Sequence, residues 1–273
     1  YIFYSSEHTV LYIGKAVNMK SRVLSHFTND YRSSSEMRLC QQVTTIESIP
    51  TAGELGALLL ELQLIKSQMP IFNKRLRRVE KSAVIRASQD NYGYKQVAIT
   101  FEAPLTFDQI PQVLLLGKSK NSAKQHLKNL TEKYSLCPRL MGLEKGNGAC
   151  FMYKLERCYG ACCQKESAID YNRRFDMAFM NEGIKKWPYK GPILVTESMD
   201  SLTTGYIFDQ WILMGEIAGD DYAQRIKWRE EASFDYDVYI VLTQYLRSHA
   251  SQVRILSENY REELEHYPNL TGF

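Results

Sequence analysis

The sequence predicts an α+β fold in which a small mixed α/β domain is followed by a longer α/β region that contains a cysteine-rich module. Two observations indicate this: strand-like runs of Tyr, Ile, Val and Leu alternate with helical patterns, and most of the cysteines are crowded into one stretch. We expect four segments, with bounds at 1–79 for the first domain, 80–136 for an α/β linker region, 137–166 for the cysteine-rich module and 167–273 for a C-terminal α/β region.

The first domain opens with strand patterns. Residues 1–4 and 9–13 are rich in Tyr, Ile, Val and Leu, and the polar residues 5–8 between them predict a hairpin turn. Gly14 ends the second strand, and 44–49 has the composition of a third. These segments predict a short antiparallel sheet.

Two helices are expected in the same domain. Asn18 stands where an N-cap would open the first helix, and the polar residues 28–36 that follow it read as a loop. A second helix runs over about 51–67 and ends before Pro70. Because this helix is apolar nearly all round, we expect it to lie in the centre of the domain.

The rest of the chain continues the alternation of strands and helices. A helix is expected from residue 120 and another over 167–186, whereas 235–247 fits either a helix or a strand. Strands are expected at 97–101, 113–116, 192–197 and 205–217.

Composition limits the class of protein. A hydrophobic content of 44% and a charged content of 24% are ordinary for a soluble globular protein. No stretch approaches the ~20 apolar residues that span a bilayer, and no signal-peptide pattern opens the chain, so we expect a cytoplasmic protein without a membrane segment. The first residue is Tyr and not Met, so we expect the natural N-terminus to lie upstream.

Positive charge is concentrated in the first domain. Residues 1–79 carry ten Lys/Arg and six Asp/Glu, a net of +4, whereas the remainder carries 24 and 25, a net of −1. The excess ends in a run that holds Lys74, Arg75, Arg77 and Arg78. Such a run suits a polyanion such as DNA, and a solvated surface run explains it equally well.

Five residue types that suit phosphodiester cleavage occur in the first domain. These types are Tyr, Lys, Arg, Glu and Asn, and they occur at Tyr1, in the run Tyr12-Ile13-Gly14-Lys15, and at Arg22, Glu61 and Asn73. The reaction needs a base for the attacking water and positive charge on the phosphate. A phenol beside a cation can have its pKa lowered, and an arginine can bind two phosphate oxygens at once.

Glu61 is the most informative of these residues because it interrupts the apolar run 57–65. A buried carboxylate is costly unless it has a partner or a metal ion, and Mg²⁺ commonly takes only one or two protein carboxylates. Each residue also has a structural explanation. The tyrosines could pack in a core, Glu61 could pair with Lys66 or Arg22, and Asn73 could form a turn after Pro70.

Taken together, these residues resemble the GIY-YIG nuclease domain of the UvrC family, a short sheet with flanking helices. The matching context includes Tyr1-Ile2-Phe3, Leu58-Leu59-Leu60-Glu61 and Pro70-Ile71-Phe72-Asn73. Ser25-His26-Phe27 resembles the short Cho branch, whereas UvrC itself usually carries Tyr at the position of His26.

The resemblance implies a role for each residue. Tyr12 would be the general base or a proton relay, with the Tyr1 phenol beside it, and His26 would belong to the same site. Lys15 and Arg22 would bind the scissile phosphate. Glu61 would be the sole protein ligand of one Mg²⁺ or Mn²⁺, and Asn73 would support the site.

The cysteines form a second pattern. Cys137, Cys150, Cys158 and Cys162 are separated by 12, 7 and 3 residues, with Cys163 adjacent and Cys40 apart. In a cytoplasmic chain such a cluster favours metal ligation over disulfides. The spacing leaves zinc and an iron–sulfur cluster nearly level, with a slight preference for the cluster because Cys-x₂-Cys pairs are absent, and ordinary buried cysteines remain an alternative.

This region also resembles UvrC and Cho, in which four cysteines hold a [4Fe–4S] cluster. The resemblance implies that Cys137, Cys150, Cys158 and Cys162 are the ligands, and it continues more weakly through 205–215. The implied function is a metal-dependent endonuclease that incises damaged double-stranded DNA on the 3′ side of a lesion, after loading by a UvrB-like damage-recognition helicase complex. The competing hypotheses are a GIY-YIG endonuclease of a mobile element or restriction type, which would lack the cysteine region, and a non-catalytic DNA-binding iron–sulfur module.

Overall fold

The computed structural model describes residues 1–28, 33–73, 82–102, 105–106, 109–146, 148–218 and 225–266. The chain forms two compact units, Tyr1–Arg78 with Tyr189–Phe273, and Val79–Pro188. In the described part of the chain, no helix has the length and apolar character that crossing a membrane requires.

A small antiparallel sheet organises the N-terminal part of the first unit. Its strands are β1 (Ile2–Tyr4), β2 (Val10–Ile13) and β3 (Thr45–Glu47), in the order β2-β1-β3. Phe3 pairs with Tyr12, so these two side chains share one face of the sheet. Tyr1, two residues before Phe3, lies on the same face. The sheet thus assembles an aromatic surface from separate strands.

Helices α1 (Met19–Thr28) and α2 (Ser34–Gln42) pack on that aromatic face. Asn18 caps α1 as predicted, because its side-chain oxygen accepts a hydrogen bond from the Ser21 N–H at 2.9 Å. The predicted loop at 28–36 is too long: α2 begins at Ser34 because the Ser33 hydroxyl accepts the Glu36 N–H and caps the helix.

Helix α3 (Glu54–Gln68) covers the opposite face of the sheet. Its buried residues include Leu55, Leu59, Leu62 and Ile65, and Ile65 packs against Ile2 and Ile13. The helix ends where Met69 adopts a left-handed conformation directly before Pro70. The predicted central helix and its stop at the proline are confirmed.

The second unit combines an antiparallel sheet with helices. Its strands pair in the order β5-β4-β6, and its core packs helical residues such as Leu127, Tyr171 and Phe175 against three of the cysteines. The elements are β4 (Ser82–Gln89), β5 (Lys95–Glu102), β6 (Val113–Gly117), α4 (Lys120–Lys133), α5 (Phe151–Lys154) and α6 (Ala168–Glu182).

The C-terminal part of the first unit is a larger antiparallel sheet with the strand order β10-β9-β8-β7-β11. The predicted strand at 205–217 is instead two strands, joined by a tight turn at Gln210-Trp211, and the ambiguous stretch 235–247 is helical. The elements are β7 (Ile193–Met199), β8 (Leu202–Asp209), β9 (Ile212–Ala218), β10 (Arg225–Trp228), α7 (Tyr236–Ser248), β11 (Val253–Ile255) and α8 (Tyr260–His266). The mixed α/β character that the sequence predicts is confirmed.

Candidate active site and cysteine centre

Tyr1, Tyr12 and His26 converge on the aromatic face of the small sheet. The Tyr1 hydroxyl lies 2.8 Å from Nε2 of His26, which α1 contributes. The Tyr1 and Tyr12 ring centroids are 6.0 Å apart, and those of Tyr12 and His26 are 5.2 Å apart. The guanidinium of Arg22, one turn before His26 on α1, interacts with the hydroxyls of both tyrosines. The cluster therefore joins two strands to the first helix.

Burial sets the protonation of this cluster. It raises the pKa of the Tyr1 phenol well above its ordinary value, with Arg22 acting in the opposite direction. Burial also lowers the pKa of His26, and the charge of Arg22 lowers it further. At neutral pH, Tyr1 is therefore a phenol and His26 a neutral imidazole, which can accept a hydrogen bond from the phenol.

Glu61 lies on α3 beside a cleft of about 350 Å³ that Tyr1, Gly14 and Lys15 also line. The Glu61 side chain is half-buried, which is less than the apolar run around it suggests. Burial raises its pKa, and the positive charges of Lys15 and Arg22 oppose this shift. The net shift of the Glu61 pKa is upward, and a cation bound in the cleft would lower it again.

Lys66, one of the two expected ion-pair partners of Glu61, pairs elsewhere. Its ammonium contacts Asp235 and lies 3.2 Å from a carboxylate oxygen of Asp237. Arg22 acts on Glu61 only as a nearby charge and is engaged with the tyrosines. The structural explanation of Glu61 as half of a Lys66 ion pair is therefore wrong.

Lys15 has a partner that the sequence did not reveal. Its ammonium is 2.6 Å from Oε1 of Glu54, the first residue of α3. Both side chains are substantially exposed, so the pair contributes little stability. It does hold the Lys15 ammonium near the N-terminal end of the helix that carries Glu61.

Asn73 is attached to the strand that carries Tyr12. Its Oδ1 accepts the Ile13 N–H and its Nδ2 donates to the Ile13 carbonyl, both at 2.8 Å, and the side chain is buried. The neighbouring Phe72 N–H donates to the Leu11 carbonyl at 2.9 Å. Asn73 thus bonds to β2 and does not simply form a turn after Pro70. The basic residues Lys74, Arg75, Arg77 and Arg78 lie outside the described residues.

The structure brings three of the four cysteines that were predicted to bind metal into one group. The sulfurs of Cys137, Cys150 and Cys162 all lie within 4.8 Å of one another, with Cys137 and Cys150 at 3.9 Å. Cys158 lies outside this group of three but interacts with the Cys137 thiol, which lowers the pKa of Cys158 and raises that of Cys137. The Cys163 sulfur instead lies 3.3 Å from the Gly160 carbonyl, so the neighbouring Cys162 is the member of the pair that faces the group.

Backbone N–H groups around the cysteines suit sulfur ligands. The N–H of Gly160 points at the Cys158 sulfur and the N–H of Cys150 at the Cys162 sulfur, and such donors stabilise thiolates. Gly160 has a φ of 82°, and a Cβ there would lie 2.7 Å from the Tyr153 ring. The fully buried Tyr171 hydroxyl has no hydrogen-bond partner among the described residues. Burial raises the pKa of Tyr171, and the nearby thiols of Cys137 and Cys158 raise it further. Four cysteines can hold either a [4Fe–4S] cluster or zinc.

Three family models match the chain in succession. They are the UvrC-like GIY-YIG domain over residues 1–74, the middle domain of the UvrC/Cho excinucleases over 84–181, and the C-terminal domain of excinuclease Cho over 192–259.

Individual relatives are similar over most of the chain. "Excinuclease cho" of Salmonella typhi is 36% identical over 265 residues, which are 96% of this chain and 87% of the relative. The protein of the same name from Escherichia coli K12 is 36% identical over 251 residues, 91% of this chain and 82% of the relative. "UvrABC system protein C" of Borrelia duttonii is 28% identical over 193 residues, 68% of this chain and 30% of that protein. No solved structure matches the chain.

Proposed function

The chain belongs to the Cho branch of the UvrC family of GIY-YIG excinucleases and is a DNA endonuclease, and from this premise we propose how its residues cut DNA. In this proposal it hydrolyses one phosphodiester on the 3′ side of a lesion in damaged double-stranded DNA. A UvrB-like damage-recognition helicase complex loads it, and the reaction takes place in the cytoplasm. The observation that carries the proposal is the convergence of Tyr1, Tyr12, His26 and Arg22 beside the cleft that Glu61 faces.

Glu61 holds one Mg²⁺ or Mn²⁺ in this proposal. Such an ion, when bound, supplies positive charge to the phosphate and to the departing oxygen. The fit rests on the donor: Glu61 is a half-buried carboxylate that lines a cleft, burial raises its pKa, and a bound cation would stabilise its ionised form. A hard cation that keeps several waters suits a site with one protein carboxylate.

Lys15 and Arg22 bind the scissile phosphate. Lys15 reaches the cleft from the end of β2, and its exposed pairing with Glu54 is weak enough for a phosphate to compete. Arg22 has its guanidinium beside both tyrosines, so it can place a phosphate next to their hydroxyls. Two cations of this kind neutralise charge that develops on the phosphate during attack.

The tyrosines and His26 move the proton of the attacking water. Tyr12 takes that proton, either as the base or as a relay through Tyr1, whose hydroxyl is already bonded to His26 Nε2. The water oxygen forms a bond to phosphorus while one ester P–O bond breaks, and the departing oxygen takes its proton from a solvent water. Asn73 keeps β2, and with it Tyr12, in place through its two bonds to Ile13.

The cysteine centre and the basic run complete the proposal. Cys137, Cys150, Cys158 and Cys162 hold a [4Fe–4S] cluster, with zinc as the alternative for the same donors. The cluster organises residues 138–149, a stretch with few apolar residues of its own. Lys74, Arg75, Arg77 and Arg78 contact the DNA backbone.

One substitution tests the proposal. Glu61→Gln keeps the shape of the side chain and removes its charge, so Mg²⁺-dependent nicking of lesion-containing DNA should be lost while DNA binding stays close to that of the wild type. Glu7→Gln, at an exposed carboxylate of the hairpin turn, is the matched control and should nick normally. Unchanged nicking by Glu61→Gln would remove Glu61 from the mechanism.

A further inference from the structure

A buried carboxylate of the C-terminal sheet holds the beginning of α3. Glu197, on β7, is only 6% exposed, and its two oxygens accept hydrogen bonds from the backbone N–H groups of Leu55 and Gly56, each at 2.8 Å. Tyr245 of α7 donates a third hydrogen bond to Glu197 at 3.0 Å. The first N–H groups of a helix have no partner within it and carry partial positive charge, so a carboxylate satisfies both needs.

Gly53, the N-cap of α3, and Gly56 within the helix allow the sheet to lie this close to the helix. A Cβ at Gly53 would lie 2.4 Å from the carboxyl carbon of Glu197, and a Cβ at Gly56 would lie 2.3 Å from the Tyr206 hydroxyl. Nonbonded contacts this short to a Cβ do not occur, so a side chain at either position would displace the Glu197 carboxylate or the Tyr206 hydroxyl. The packing therefore depends on both partners: glycines on the helix, and Glu197 with Tyr206 on the sheet.

The same end of α3 carries residues of the candidate active site. Glu54, one residue before Leu55, bonds the Lys15 ammonium at 2.6 Å. Glu61 stands seven residues after Glu54, which is about two helical turns. A shift or fraying at the N-terminus of α3 would therefore displace first Glu54, the partner of Lys15, and then Glu61, which lines the cleft.

We propose that Glu197 and Tyr245 form a clamp through which the C-terminal sheet positions α3 and so fixes Glu54, Lys15 and Glu61 for cleavage. This rests on the proposed function, in which Glu61 holds the metal ion. Glu197 is a positioning residue, because it touches the backbone of α3 and not the cleft. The C-terminal domain is in this account part of the working nuclease and not an independent attachment.

Glu197→Gln tests the clamp. A carboxylate can accept from both N–H groups, whereas an amide offers one acceptor oxygen and turns its NH₂ toward the other donor. Hydrogen exchange at the Leu55 and Gly56 amides should rise about 5- to 10-fold. The single-turnover cleavage rate at saturating DNA should fall about 10-fold or more. The dissociation constant for DNA should stay within about twofold of the wild type, because the clamp lies away from the cleft.

Gly56→Ala disturbs the same contact from the helix side and is the second test variant if Glu197→Gln does not fold. Glu216→Gln is the matched control, since that half-buried carboxylate lies on β9 of the same sheet and bonds Arg229 at 3.2 Å. Its exchange and cleavage should match the wild type. Folded Glu197→Gln or Gly56→Ala protein with wild-type exchange in α3 and a wild-type cleavage rate would overturn the clamp. Faster exchange in α3 with an unchanged cleavage rate would overturn its positioning role.

The exchange measurement separates this inference from the proposed function. If the wild-type protein failed to nick DNA, the proposed function would fall. Protection of the Leu55 and Gly56 amides by Glu197 would still be measured directly, and its absence in the wild type would overturn the clamp.

Discussion

The hydroxyl of Tyr1 and Nε2 of His26 are 2.8 Å apart, which links the first strand of the nuclease domain to its first helix. Other groups around His26 differ in their effect on its charge: Arg22 on the same helix disfavours the imidazolium, whereas Glu36 on α2 favours it. Burial is the larger influence and keeps the imidazole neutral at pH 7. A neutral ring is the form that can accept a hydrogen bond from the phenol.

The pH profile of cleavage should follow from this pair. Because the pKa of His26 is lowered, the ring becomes protonated only below its ordinary range near pH ~6.5, and the single-turnover rate should fall as the pH drops through that lowered value. His26→Phe should reduce the rate at pH 7 about 100-fold and remove this acid limb.

His8→Ala is the matched control for that profile, because His8 is exposed in the hairpin turn. Its rate and acid limb should equal those of the wild type. A His26→Phe protein that keeps both the rate and the limb would show that another group titrates.

Glu54→Gln should make Lys15 available to DNA. The substitution removes a carboxylate 2.6 Å from the ammonium that we assign to the scissile phosphate, so DNA should bind about 2- to 5-fold more tightly at low salt. Fluorescence anisotropy at two salt concentrations checks this, since the difference should shrink as salt screens the charges. Weaker binding by the variant would indicate that Glu54 orients Lys15 for DNA and does not compete for it.

Asn73→Ala should destabilise the nuclease domain. It leaves the buried N–H and carbonyl of Ile13 without their partners, at a cost of about 2 kcal/mol or more. Urea unfolding measures the loss, and Gln63→Ala, at an exposed position on α3, should change stability by less than about 0.5 kcal/mol. Equal stability of the two variants would contradict the supporting role of Asn73.

Substitution of Cys162 should disrupt the metal centre, whereas substitution of the adjacent Cys163 should not. Cys162→Ser should lose the brown colour and visible absorption of a [4Fe–4S] cluster, because its sulfur faces Cys137 and Cys150. Cys163→Ser should keep both, because its sulfur faces the Gly160 carbonyl. Iron and sulfide analysis gives the stoichiometry. A colourless wild-type protein with stoichiometric zinc would contradict the cluster and leave the four-thiolate site.

Local signals allowed much of the first domain to be predicted from sequence. Asn18 and Pro70 mark helix ends through contacts within a few residues of themselves, and the helix stop at Pro70 follows from a missing N–H. The three predicted strands, 1–4, 9–13 and 44–49, lie within two residues of the bounds of β1, β2 and β3. The start of α2 was missed because Ser33 caps it within a stretch that looked uniformly polar.

The rest depended on contacts that sequence order does not reveal. Glu197 and Leu55 are 142 residues apart, and nothing around Glu197 distinguishes it from a surface carboxylate on a strand. The pairing of Lys15 with Glu54 spans 39 residues. The turn between β8 and β9 was hidden because Gln210 and Trp211 adopt positive φ without a glycine. Asp235 did offer a signal for α7, since it accepts the N–H groups of Asp237 and Val238 as an N-cap.

Glu61 should be the protein ligand of one catalytic metal ion. Electron paramagnetic resonance of Mn²⁺, titrated into the protein bound to a non-cleavable lesion-containing duplex, counts the ions directly. One Mn²⁺ should bind to the wild type and to Glu7→Gln, and none to Glu61→Gln at the same concentrations. One Mn²⁺ bound to Glu61→Gln with wild-type affinity would contradict this role of Glu61.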